Sequence, residues 1–93
     1  MKFKQVVNID TALRIYYSFN EIGNKELVKL FGPTSSRTLT RYKDAVKAVQ
    51  FERGVKTSGQ YTINTELAYE VFGIDVARLE RNRKKLISLG LCG

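Results

Sequence analysis

The sequence contains no histidine and a single cysteine, Cys92, among its 93 residues. It therefore lacks the parts for a His/Cys metal site and for the usual nucleophile-base pairs. One cysteine also excludes an internal disulfide framework and suits a reducing compartment, with Cys92 read as a spare thiol near the C-terminus. No glycine-rich loop has the spacing of a phosphate cradle. The nine acidic residues are scattered; Glu66 and Glu70 stand one helical turn apart, a spacing ordinary on a solvent face. No apolar run approaches the ~20 residues that span a bilayer, and the N-terminus has no signal-peptide core. These absences predict a soluble, cytoplasmic chain that is not an enzyme and uses no cofactor, metal or membrane.

What is present in excess is positive charge. Sixteen Lys and Arg against nine Asp and Glu leave a net charge of +7, large for one small domain, and favour a polyanionic partner. The excess is uneven: residues 34–60 carry six basic and two acidic groups, residues 61–74 none and two, and residues 75–93 five and two. With 43% hydrophobic residues the chain can fill a single core, so residues 1–93 read as one domain.

The apolar pattern has helical spacing almost throughout. Ala12, Leu13, Ile15, Tyr16, Phe19 and Ile22 give a stripe for a helix from about Ile9 to Ile22, capped by Asn8 or Asp10. Before it, Phe3 and Val6 belong either to a short strand or to a tail that covers the core. Leu27, Val28, Leu30 and Phe31 mark a second helix, ended by Gly32-Pro33. A third begins at Thr34, Ser35 or Ser36, whose hydroxyls can cap it, and buries Leu39, Tyr42, Val46 and Val49.

At about 100° per residue, Arg37, Thr40, Arg41 and Asp44 fall on the opposite side of that helix, with Lys47 on its flank. The pair over residues 24–50 resembles the helix-turn-helix superfamily of DNA-binding proteins. The resemblance rests on the run Glu26-Leu27-Val28-Lys29-Leu30-Phe31-Gly32, the polar start that follows, and Leu39 and Tyr42. Val28 stands where a small residue is usual, and the turn is one residue longer than common. The resemblance implies that Arg37, Thr40, Arg41 and Asp44 meet base edges in a major groove. Phosphate contacts would come from Ser35, Ser36, Lys43 and Lys47.

Beyond a helix end at Glu52-Arg53-Gly54, residues 55–63 place β-branched and aromatic residues on both sides of Ser58-Gly59. The pattern allows a short β-hairpin, and in this position it resembles the wing of winged-helix proteins; an irregular loop is the other reading. The wing would bring Arg53, Lys56, Ser58 and Gln60 to the DNA backbone. Two further helices fill residues 64–90: one opens at Asn64-Thr65-Glu66 and ends at Gly73, and the last is capped by Asp75 and closes at Gly90. They form a second candidate helix-turn-helix whose last helix carries Arg78, Arg81, Arg83, Lys84 and Lys85. Arg83 interrupts its apolar stripe, so it marks an open face, an ion pair or a contact with another chain. The unbroken apolar stripe behind Arg37 and Arg41 favours the first unit as the reader.

The expected fold is mainly α, a helix-turn-helix bundle of about five helices with a possible wing after the third. The expected activity is sequence-specific binding of double-stranded DNA, as a small transcriptional regulator or mobile-element accessory protein, with homodimerisation through the C-terminal helix. Two other classes stay open: an RNA-binding module, which would lack clustered aromatics for stacking bases, and an adaptor that docks an acidic protein.

Overall fold

The computed structural model describes residues 2–90; Cys92, and the expectation attached to its thiol, lies outside them. Among the described residues the chain forms five helices and one two-stranded antiparallel sheet. The helices are α1 (Ile9–Ser18), α2 (Asn24–Phe31), α3 (Ser36–Arg53), α4 (Thr65–Phe72) and α5 (Val76–Ser88). The strands are β1 (Glu21–Ile22), between α1 and α2, and β2 (Ile63–Asn64), just before α4. No described helix is long and apolar enough to cross a membrane.

Four helix starts follow one local rule. The side chains of Asn8, Ser35, Asn64 and Asp75 accept from the backbone N–H of Thr11, Thr38, Leu67 and Arg78, which fill orphan donors of the first turn. At α2 the Glu26 carboxylate reaches back 3.0 Å to accept from the Gly23 N–H. The left-handed conformation of Gly54 and Gly73 closes α3 and α4.

α1 is shorter than the sequence pattern predicts. It stops at Ser18, and Phe19 is extended, 46% exposed and outside the core. Ile22, expected on the same helix, is fully buried from β1, where it pairs with Ile63 while Glu21 pairs with Asn64. This pairing also decides between the two readings of residues 55–63, hairpin wing and irregular loop, in favour of the loop. Residues 55–62 form turns and irregular loop instead of a hairpin, and the strand at their end pairs with β1. Two-residue strands gain little from a local ladder, whereas pairing across the core seals Ile22 and Ile63, worth about 1.5–3 kcal/mol for each buried side chain.

The core joins Ala12 and Ile15 of α1, Leu27, Leu30 and Phe31 of α2, Leu39, Tyr42 and Val46 of α3, and Ala68, Tyr69 and Phe72 of α4. The N-terminal segment behaves as a covering tail. Its Phe3 ring lies 4.8 Å from Tyr42 and 5.0 Å from Phe72, and the Val7 N–H donates to the Leu30 carbonyl. Tyr69 donates from its buried hydroxyl to the Ala12 carbonyl at 2.6 Å, tying α4 to α1; burial pushes its ionisation well above the usual range.

α5 differs from the others in having no buried residue. Val76 and Leu79 pack partly against the core, and two polar links join α5 to α1: Arg83 pairs with Asp10 at 3.1 Å, and the Tyr17 hydroxyl bonds the Glu80 carboxylate. The Glu80 contact raises the Tyr17 ionisation above its ordinary value. Arg83 thus takes the ion-pair reading among those the sequence left open.

Candidate nucleic-acid interface

The N-terminal end of α3 is built by the turn over residues 32–35. Gly32 adopts a φ of 82°, which a side chain would strain. The Thr34 hydroxyl donates to the Gly32 carbonyl at 2.9 Å, and the Ser35 hydroxyl, besides capping, donates to Thr38 Oγ1. Ser35, Ser36, Arg37, Thr40, Arg41 and Asp44 are all exposed. Arg37 and Arg41 enter no ion pair among the described residues. The Thr40 hydroxyl is turned back onto its own helix, donating to the Ser36 carbonyl at 2.9 Å; toward a ligand it offers acceptor capacity.

A cation that the sequence pattern does not single out joins this end. The covering tail carries Lys4 across the turn, where its backbone N–H donates to the Tyr42 hydroxyl and its ammonium to the Pro33 carbonyl at 3.1 Å and Thr34 Oγ1 at 3.2 Å. The tail and α5 enclose an open cleft of about 360 Å³ with Lys4 and Arg78 among its lining residues, over Phe3, Val6, Phe72 and Leu79. Basic side chains thus stand at the start of α3, at Lys4 and along α5, where Arg78, Arg81, Lys84 and Lys85 are exposed, with Asp75 the one acid among the described residues that line the cleft between.

Several residues expected at the DNA backbone are engaged elsewhere. Lys43 is 7% exposed and Gln50 6%, and both lie on the inward stripe of α3 with Leu39, Tyr42 and Val46, while Val49 is only half-buried. Gln50 is inside because its side-chain oxygen accepts from the Asn64 N–H at 2.7 Å, anchoring β2 to α3. Lys43 stands two turns before it on the same side, where its alkyl stem can cover apolar surface. The stripe behind Arg37 and Arg41 is thus not unbroken, and the contrast that favoured the first unit over the second disappears. Lys43→Met is expected to leave stability unchanged or raise it, and to leave duplex affinity unchanged, because Met keeps the apolar stem without a charge to solvate. Thermal melting and a binding isotherm check this; a drop in affinity at parental stability would return Lys43 to the interface.

Arg53 is also diverted: its guanidinium pairs with Glu70 of α4 at 3.1 Å. Arg53 is held further up in its charged form, and the Glu70 carboxyl below its usual range. Ser58 donates through both its N–H and its hydroxyl to the Glu21 carboxylate. Lys56 and Gln60 remain exposed, and Lys47 is half-buried. At 1.5 Å per residue, Arg37 and Arg53 lie about 24 Å apart along α3, so the loop residues stand far from the Arg37–Arg41 end.

The Gly59 N–H and Thr62 hydroxyl also donate to Glu21, at 3.1 and 2.6 Å. These hydrogen bonds, that from Thr62 foremost, hold the Glu21 carboxyl down to about 2. Their contribution is complete above the ordinary carboxylate range and is lost as pH falls toward about 2. Among the described residues no group of three His, Cys, Asp or Glu side chains is placed to hold a metal ion. The chain matches no protein-family model, no curated protein and no solved structure.

Proposed function

We propose that the chain binds double-stranded DNA sequence-specifically, with the first two turns of α3 in a major groove and the surrounding cations on phosphates. It would act as a small transcriptional regulator or an accessory protein of a mobile element. The observation that carries this reading is the start of α3: Arg37 and Arg41 are exposed without an acidic partner among the described residues, on a helix whose other side is locked into the core. An unpaired guanidinium on a rigid helix can make bidentate contacts to guanine, and the Ser36 hydroxyl and Lys4 beside it suit phosphate oxygens. The acidic Glu52, exposed near the far end of the same helix, leaves base reading to the N-terminal half, while phosphate contacts extend beyond it.

Helix α5 supports a second set of contacts through Arg78, Arg81, Lys84 and Lys85, while Arg83 is occupied by Asp10. Two copies would meet through the C-terminal end of α5, where Ile87 and Leu89 are 51% and 61% exposed, and the target would then hold two half-sites.

The test is a salt titration of binding to duplex DNA selected from random sequence, with duplex RNA as competitor. If about six cations, among them Lys4, Arg78 and Arg81, neutralise phosphates, affinity falls roughly a thousandfold between about 50 and 200 mM salt. Binding that ignores salt would turn the reading toward a protein partner, and equal competition by RNA would remove the preference for DNA.

A further inference from the structure

We propose that Glu21 is the positioning residue of the loop between α3 and β2, and that its carboxylate does for this loop what a β-ladder does for a hairpin wing. Each carboxylate oxygen takes two donors from the loop. Oε2 accepts from the Ser58 N–H at 2.9 Å and the Ser58 hydroxyl at 2.8 Å, and Oε1 from the Gly59 N–H at 3.1 Å and the Thr62 hydroxyl at 2.6 Å. Consecutive backbone N–H groups turned toward one point form an anion-binding concavity, and here the anion is supplied by the chain itself.

The support on the other side is rigid, because Glu21 belongs to β1, next to the fully buried Ile22, and pairs with Asn64. The turn is shaped around the carboxylate. A Cβ on Gly59 would stand 2.4 Å from the Thr62 hydroxyl oxygen that closes over Glu21, so only glycine permits this approach. The loop's other bonds are mostly internal: the Thr57 hydroxyl reaches the Gly59 and Thr62 carbonyls at 3.2 and 3.4 Å, and the Val55 N–H bonds the Gln50 carbonyl. Outside the β1–β2 ladder, only Glu21 ties residues 56–62 by hydrogen bonds to the rest of the described chain. Their side chains offer little burial, with Lys56, Ser58, Gln60 and Tyr61 exposed. One side chain from a distant strand therefore sets where Lys56, Gln60 and Tyr61 stand.

The consequence for DNA rests on the proposed function, whereas the positional claim does not. Lys56 and Gln60 can meet phosphates in a fixed place only while Glu21 holds the loop, since an untethered loop pays its ordering cost on binding. The experiment measures amide hydrogen exchange by NMR in the parent, Glu21→Ala and Glu21→Gln. It adds a double-mutant cycle between Glu21→Ala and Lys56→Ala read on duplex DNA affinity. Ala removes both acceptors and is expected to free the Ser58 and Gly59 amides, whereas Gln keeps one oxygen and turns an NH₂ toward the other pair of donors, so it is expected to free one of the two. Core amides such as Ile22 keep their protection in both variants.

In the parent, Lys56→Ala is expected to reduce the salt slope by about one; in the Glu21→Ala background it is expected to change nothing. Ser58 and Gly59 amides that stay protected in both variants would overturn the proposal. So would loss of protection throughout the core in both, since Glu21 would then hold the fold as a whole. A parent that does not bind duplex DNA would overturn the DNA reading, and the exchange arm would still decide the positioning role.

Discussion

Phe72→Ala is expected to lower stability by about 3–5 kcal/mol, enough to consume most of the margin of a domain of this size. The ring is 7% exposed and sits where four segments meet, with centroids 5.0 Å from Phe3, 5.3 Å from Phe31 and 5.7 Å from Tyr42. Truncation removes the transfer free energy of the side chain and leaves a void bordered by rings that cannot collapse together without leaving their rotamers. It also frees the covering tail, whose Phe3 touches only Tyr42 and Phe72 among aromatic rings of the described residues. Chemical denaturation followed by circular dichroism measures the loss. Phe51→Ala serves as the comparison, because Phe51 is 90% exposed and its removal should leave the midpoint in place. A Phe72 variant as stable as the Phe51 variant would refute this account of the core.

The same cluster shows why much of the fold could be read from the sequence. Caps depend on residues a few positions apart, so Ser35, Asn64 and Asp75 announce α3, α4 and α5 locally, as the left-handed Gly54 and Gly73 announce two helix ends. Helical periodicity also places Leu39, Tyr42 and Val46 inside. What it does not reveal is how wide the covered arc is. The covered arc of α3 takes in Lys43 and Gln50, and for Gln50 the reason lies in a hydrogen bond from Asn64, remote in sequence. The loop fails to form a hairpin for a similar reason. Its partner is Glu21, and neither a lone acid nor a two-residue strand carries a periodic signal.

The site was legible to a comparable degree. Arg37 and Arg41 can be placed from spacing alone because exposure on a helix is the complement of its stripe. Arg53 and Arg83 cannot, since the acids that engage them, Glu70 and Asp10, belong to other helices. Lys4 reaches α3 only because the tail folds over the turn, an arrangement with no local signature.

With the stripe no longer separating the two units, rigidity becomes the criterion for which helix would read bases under the proposed function. A base-reading side chain must be held within roughly 0.5 Å and 10–20° of its productive geometry. α3 meets this demand through five buried residues, whereas α5 buries none, packs Val76 and Leu79 only partly against the core and is otherwise tied to α1 by the Arg83–Asp10 and Tyr17–Glu80 links. Positioning of that looser kind suffices for phosphates, which accept a cation over a broad range of approach. Arg41→Ala is therefore expected to cost about 1–3 kcal/mol on the selected duplex and to erase preference at one base pair. Arg81→Ala is expected to weaken all duplexes alike and to reduce the salt slope by about one. Binding to the selected duplex and its single-base variants at several salt concentrations separates the two, and a reversed pattern would make α5 the reading helix and α3 its phosphate clamp.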